Sequence, residues 1–260
     1  MERRRIDTLL TERGLAGSRT TAAASVRAGR VRIGSGGARA TKPGQLVAAD
    51  AQLKVEARPR YASRGGLKLE HALNALGIEV EGRSCLDVGA STGGFTDCLL
   101  QRGAARVLAL DVGYGQLEWR LRNDPRVEVI ERKNARELTA AELPYGPGLA
   151  TIDVSFISLS KVLPAVAACL APGGEVLALV KPQFELGRGR AKGGVVRSAD
   201  DRREALLSVA EAARGLGLAV MGFASSGLAG PKGNRESFVW CGVEGPGVED
   251  LEAATRAVEP

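Results

Sequence analysis

Residues 85–95 read Cys-Leu-Asp-Val-Gly-Ala-Ser-Thr-Gly-Gly-Phe: a short apolar strand that carries an acid, breaks into a loop of small residues and opens a helix. This pattern commits the chain to a layered α/β fold, because such a loop brings backbone close to a ligand laid across the helix start. Asp87, Gly89, Gly93 and Gly94 permit that approach. The next apolar strand ends about twenty residues on at Asp111, a carboxylate suited to accept from ribose hydroxyls. Together they mark a place for a nucleotide-like ligand.

From residue 65 onward strands alternate with helices, the pattern of an open, largely parallel sheet with helices on both faces. Seven strands are expected, near 84–88, 106–110, 127–130, 149–153, 175–180, 219–225 and 237–243. Helices fit near 66–76, 94–102, 116–122, 159–170 and 200–215, the last opened by a Ser198-Ala-Asp-Asp capping pattern. Residues 187–194, Gly-Arg-Gly-Arg-Ala-Lys-Gly-Gly, sit in a loop of roughly fifteen residues, a length found in lids and binding elements.

The first sixty residues are different in kind. They hold 13 Lys+Arg against 5 Asp+Glu, a net of +8, while the other 200 hold 23 against 25, within an overall +6. Ile6, Leu9, Leu10 and Leu15 give a short amphipathic helix, and Ser18 caps a second over 20–28 that Gly29 stops. Short strands at 31–33, 45–47 and 52–55 complete a small α+β module, with Arg3, Arg4, Arg5, Arg19, Arg27, Arg30 and Arg32 read onto the two helices or their ends. Arg58, Pro59 and Arg60 form a stiff linker, so two domains are expected, 1–60 and 61–260. A block this basic suits a polyanionic partner, because each phosphate neutralised releases counterions.

Other classes are disfavoured. Cys85, Cys98, Cys169 and Cys241 form no C-x-x-C pair and, with the single His71, give no metal-ligand spacing, so no metal is expected. They read as small core hydrophobes in a reduced cytoplasm. The start, Met-Glu-Arg-Arg-Arg-Ile-Asp, lacks the apolar run of a secretory signal, and the apolar stretch 162–180 is cut by Pro164, Pro172, Gly173, Gly174 and Glu175, too broken to span a bilayer.

In doubly wound sheets, residues that finish consecutive strands converge on one cleft. Asp87, Asp111, Asp153 and Lys181 each do so, Glu236 precedes the last strand and Lys68 lies on the leading helix. A dinucleotide site would read G-x-G-x-x-G, but the loop Gly89-Ala90-Ser91-Thr92-Gly93-Gly94 lacks the middle glycine that admits a pyrophosphate. S-adenosylmethionine needs no pyrophosphate cradle, and its cationic groups favour Asp87 and Asp153. The loop through Phe95 would hold its amino-acid tail, and Asp111 with Val112 its ribose. Asn134 is either an adenine contact or an ordinary turn residue.

Six segments, Ser63-Arg-Gly-Gly-Leu-Lys-Leu, Asp87-Val-Gly-Ala-Ser-Thr-Gly-Gly-Phe-Thr, Asp111-Val-Gly-Tyr-Gly-Gln-Leu, Asp153-Val-Ser-Phe-Ile-Ser-Leu, Lys181-Pro-Gln-Phe-Glu and Gly230-Pro-Lys-Gly-Asn-Arg-Glu, resemble the signatures of the TlyA family, rRNA cytidine 2′-O-methyltransferases long labelled haemolysins. The likeness runs nearly end to end. It implies a Rossmann-like, seven-stranded, S-adenosylmethionine-dependent methyltransferase domain of the FtsJ type, behind a small S4-like RNA-binding domain. It further implies a Lys-Asp-Lys-Glu catalytic tetrad, by motif Lys68, Asp153, Lys181 and Glu236. The expected partner is ribosomal RNA of one or both subunits, handled by a monomeric cytoplasmic enzyme. The basic start and the tail from 247 to 260 resemble the longer of the family's two forms, and an effect on sensitivity to capreomycin-type antibiotics is implied.

The chemistry agrees with the likeness. A ribose 2′-hydroxyl is a poor nucleophile at neutral pH, so methyl transfer needs a placed base and in-line geometry. Bringing a lysine from about 10.4 to about 7 costs roughly 4 to 5 kcal/mol. Desolvation and a second cation supply that shift, whereas a neighbouring carboxylate opposes it. Lys181 is read as the base, Lys68 as the second cation that positions the hydroxyl, and Asp153 and Glu236 as orienting groups. RNA contacts are assigned to Arg3, Arg4, Arg5 and Arg19, with Arg132, Arg136 and Arg188 around the cleft mouth. The rival readings are a non-catalytic ribosome-assembly factor, a membrane-lytic protein and a nicotinamide dehydrogenase.

Overall fold

The computed structural model describes residues 2–187, 189–230 and 232–259. The chain divides into two compact units, residues 1–59 and 60–260. In the first, β1 (Arg3–Arg5), α1 (Ile6–Glu12), α2 (Arg19–Arg27), β2 (Val31–Ile33), β3 (Ala38–Arg39), β4 (Leu46–Ala48) and β5 (Leu53–Val55) follow in order. Strands β1 and β4 pair antiparallel, and β3, β2 and β5 form a second small sheet. Ile6, Leu9 and Leu10, one turn apart on α1, pack with Ala22 and Val26 of α2 and with Val31 and Val47. Ser18 caps α2 by accepting from the Thr21 N–H at 3.1 Å.

Arg3, Arg4 and Arg5 lie in a strand rather than on the expected helix, and Arg32 lies in β2. The apolar helical spacing begins only at Ile6. The three preceding residues satisfy their backbone by pairing with residues 46–48 instead.

The second unit runs α3 (Gly65–Leu76), β6 (Ser84–Val88), α4 (Gly94–Gln101), β7 (Arg106–Leu110), α5 (Trp119–Arg122), β8 (Val127–Ile130), β9 (Leu149–Ile152), α6 (Leu163–Ala167), β10 (Glu175–Val180), α7 (Pro182–Glu185), α8 (Ala199–Gly215), β11 (Ala219–Ser225), β12 (Ser237–Gly242) and α9 (Leu251–Val258). Seven strands form one sheet in the order β11-β12-β10-β9-β6-β7-β8. All neighbours are parallel except β12, which runs antiparallel to both β10 and β11. Alternation along the strands feeds two cores. Leu86 and Val88 face α6 and α8, while Cys85 faces α3 and α4. All four cysteines are buried and free.

Helix 159–170 is interrupted: a single 3₁₀ turn, Leu159–Lys161, precedes the short α6, whose first turn holds Pro164. Proline has no N–H to continue a helix through that point. Of the helix expected at 116–122 only α5 forms, and β3, α7 and α9 add to the expected elements.

The order of the sheet fixes the site. From β6 the chain builds outward through β7 and β8, then crosses back to β9 on the other side, so β6 and β9 flank the switch point where such sheets bind ligands. Val88 and Ile152 are in register there, and the Asp153 N–H donates to the Val88 carbonyl at 2.9 Å.

Candidate active site

Asp87 sits at the end of β6, fully buried. Its Oδ2 accepts from the Thr96 N–H at 2.8 Å and the Thr96 hydroxyl at 2.6 Å, pinning the first turn of α4. Its Oδ1 has no partner. Burial pushes this carboxyl up to about 7; the Thr96 hydroxyl opposes the rise, and the charges of Asp153 and Asp111 add to it. Gly89 follows with φ +86, and a Cβ on it would lie 2.4 Å from the Asp153 carbonyl oxygen. No other residue fits there. Ser91 takes φ 48 without being glycine and donates from its N–H to Asp111 Oδ2 at 2.7 Å, while Gly113 N–H donates to Asp111 Oδ1 at 2.6 Å. Asp111 thus ties the loop after β6 to the loop after β7.

A cavity of about 860 Å³ opens beside these loops. Gly89, Ala90, Ser91, Thr92, Gly94 and Phe95 line one end, and Lys68, Asp153, Lys181 and Glu236 line it too. The four charges form two pairs. Lys68 Nζ donates to Glu236 Oε2, with the Glu236 side chain 2% exposed. Lys181 Nζ approaches Asp153 Oδ1 to 2.5 Å and donates to Ser155 Oγ at 3.0 Å. The contact with Asp153 lies off the hydrogen-bonding angle, so that oxygen has no aligned donor. The Asp153 side chain is 25% exposed and that of Lys181 12%, although the Oδ1 that faces Lys181 is buried. Gly230 makes room for Glu236: a Cβ there would fall 2.5 Å from Glu236 Oε1.

The cavity wall also includes groups that do not finish a strand. Phe156, 90% exposed, holds a left-handed backbone at φ 63 and tilts against Phe184, ring centroids 5.1 Å apart. An exposed aromatic in that strained conformation is uncommon and points to function. Gln183 also lines the cavity, with its Oε1 buried and unpartnered. Asn234, 2% exposed, accepts from the Val196 N–H at 2.8 Å and donates to the Gly194 carbonyl at 2.7 Å, stitching the arginine-glycine loop to the segment before β12. Arg64 and Lys232 supply cations at the wall. The sequence signal for all of these is membership of the same short segments that carry the charged residues.

Other candidates stand apart from the cavity lining. Val112 is 72% exposed, and Asn134 caps a 3₁₀ turn by accepting from the Arg136 N–H at 3.1 Å. Arg132 stacks over the Tyr114 ring at 4.3 Å, and Arg136 is exposed. Arg188 lies outside the described residues. In the first unit Arg4 pairs with Glu12 at 2.6 Å, Arg5 and Arg19 reach Asp7 at 2.8 and 3.6 Å, and Arg3 reaches the Leu46 carbonyl at 3.5 Å. Among the described residues no group of three or more His, Cys, Asp or Glu could hold a metal, and no helix is long and apolar enough to cross a membrane.

Residues 61–243 match the FtsJ-like methyltransferase family and residues 4–53 the S4 domain. The 16S/23S rRNA (cytidine-2′-O)-methyltransferase TlyA of Mycobacterium tuberculosis is 50% identical over 92% of this chain and 89% of its own. Hemolysin A of Brachyspira hyodysenteriae is 41% identical over 78% of this chain and 85% of its own. The solved structure of a hemolysin-named protein from Streptococcus thermophilus superposes with a TM-score of 0.74 at 40% identity, covering 99% of this chain and 96% of that one. With both domains matched and 50% identity to such a relative over 92% of its length, the chain belongs to the TlyA family of S4-domain, FtsJ-like methyltransferases.

Proposed function

We propose that this protein methylates the ribose 2′-hydroxyl of cytidine in ribosomal RNA, 16S, 23S or both, using S-adenosylmethionine. The observation that carries the reading is the meeting of two lysine–carboxylate pairs in one cavity beside a glycine loop at the sheet's switch point. The cofactor fits the residues present. The loop from Gly89 to Phe95 would hold its amino-acid tail, Asp111 its ribose, and the unpartnered Oδ1 of buried Asp87 leaves an acceptor for a cationic group. Val112 and Asn134 are assigned to its nucleoside.

When bound, S-adenosylmethionine supplies a methyl carried on a positive sulfur that departs as a neutral thioether. Lys181 would accept the 2′-hydroxyl proton as the oxygen takes up the methyl group that the cofactor would supply. Asp153 lies between the glycine loop and Lys181, its carbonyl close to Gly89 and its carboxylate against the lysine, and so would fix the orientation of Lys181. Lys68, fixed by buried Glu236, would orient the hydroxyl oxygen. Phe156 and Phe184 offer an aromatic face on which an unstacked base can rest.

Residues 1–60 are assigned to RNA binding, through Arg3, Arg4, Arg5 and Arg19, and residues 61–260 to catalysis, with Arg132 and Arg136 as further RNA contacts. The protein is read as a cytoplasmic monomer whose product mark changes sensitivity to capreomycin-type antibiotics. The test is to incubate separated ribosomal subunits with enzyme and labelled S-adenosylmethionine and to map 2′-O-methylation. A new methylated cytidine is expected, and no new modified ribose on either subunit would overturn the reading.

A further inference from the structure

We infer that Gln183 selects the target base, its Oε1 accepting from the exocyclic amine of cytosine. The inference rests on the ribose-methylation reading and adds the residue that tells one pyrimidine from the other. Five buried side-chain polar atoms among the described residues lack a partner. Those of Tyr61 and Trp240 do not line the cavity, and those of Asp87 and Asp153 belong to the charged groups already placed. Gln183 Oε1 is the one left on the cavity wall without a task, an acceptor that awaits a donor.

Its neighbours define what that donor belongs to. Gln183 stands two residues beyond Lys181 and one before Phe184, whose ring tilts against exposed Phe156. A base lying on that aromatic face, with its ribose at Lys181, presents its edge rather than its face to the first turn of α7. The turn is held fast. Glu185, at its other end, accepts from the Ser158 hydroxyl at 2.6 Å and from the Leu159 N–H at 2.9 Å, which locks α7 to the loop that carries Phe156. The glycine loop and Gln183 line the same cavity.

Cytosine offers a 4-amine donor beside the ring N3 acceptor, and the amide matches both, with Oε1 facing the amine and Nε2 facing N3. Uracil reverses the pair: a carbonyl stands where the amine was, and two acceptors oppose each other. The amide can turn over to serve uracil, so Gln183 gives a moderate preference rather than an absolute one. Glutamate cannot turn over. A carboxylate at 183 accepts one hydrogen bond and opposes one acceptor on either base, so it removes the preference.

The experiment uses subunits carrying cytidine or uridine at the mapped position, the intact protein, and Gln183→Leu and Gln183→Glu variants. Rates on both substrates and S-adenosylmethionine affinity by calorimetry are measured. The expected results are a preference of about tenfold or more for cytidine in the wild type and a ratio near one for both Gln183→Leu and Gln183→Glu, through a larger loss on cytidine than on uridine. Cofactor affinity stays within about twofold in all three, which also shows that the variants fold. Equal loss on both substrates, an unchanged ratio in Gln183→Leu, or weakened cofactor binding would overturn the role in base selection. A wild type inactive on cytidine subunits would instead remove the methylation reading itself.

Discussion

Asp87 is the residue whose environment departs furthest from water. Its carboxylate is fully buried, hydrogen-bonded on one oxygen and bare on the other, and burial lifts it to about 7. A carboxyl raised on folding contributes its stability below the unfolded value near 4 and loses it as pH rises through 7, because the folded state then has to bury a charge. Asp87→Asn keeps an acceptor for Thr96 and removes the titration. The stability of the variant relative to wild type, measured by denaturant unfolding, is therefore expected to climb from pH 4 to pH 8, by an amount on the order of a few kcal/mol, while cofactor affinity falls. A difference that stays flat across that range would contradict the assignment. Strand-end acids such as Asp87 and Asp153 were legible in the sequence because a charge that interrupts an apolar run marks an end, and the ends of these strands converge. Phe156 was not. An aromatic three residues past a strand looks like core until its left-handed backbone turns it outward.

At the level of elements, the short α7 matters more than its four residues suggest. Glu185 on α7 holds the Ser158–Leu159 segment after β9, so the strand ends bearing Lys181 and Asp153 are cross-braced. Burial raises the Glu185 carboxyl, against the two hydrogen bonds it accepts. Glu185→Ala removes both bonds and is expected to lower kcat about tenfold or more, with KM for the cofactor nearly unchanged, and Glu185→Gln to recover most of that loss. Parallel loss of cofactor binding in Glu185→Ala would assign it to general folding instead. The sheet was legible strand by strand, since each strand is an apolar run between turn signals. α7 was hidden because four residues cannot show a helical period, and β1 because three arginines carry no alternation. α9, capped by Asp250, was hidden in a tail read only for its length.

For the whole molecule, the governing quantity is the uneven charge: a net of +8 in residues 1–60 within an overall +6. That asymmetry was readable without any structure, because it is a count. What the count could not show is how far the charge is already used. Arg4, Arg5 and Arg19 each have a carboxylate partner within the first unit, whereas Arg3 reaches a carbonyl. Reversing Arg3 and Arg19 to glutamate is expected to weaken RNA binding and to reduce the slope of log affinity against log salt by about one for each phosphate no longer neutralised. Cofactor affinity measured by calorimetry stays as in wild type. An unchanged salt slope would place the RNA elsewhere.

The pairing of Lys68 with Glu236 spans 168 positions of chain, and β12, which begins beside Glu236, is wedged between β10 and β11. Ribosomes make the chain from the other end. The glycine loop and three of the four charged residues therefore emerge well before the fourth, and a nascent chain can bring together most of the pocket without its last pair. The Lys68–Glu236 pair can therefore form only after nearly the whole chain has been made and β12 has inserted into the sheet.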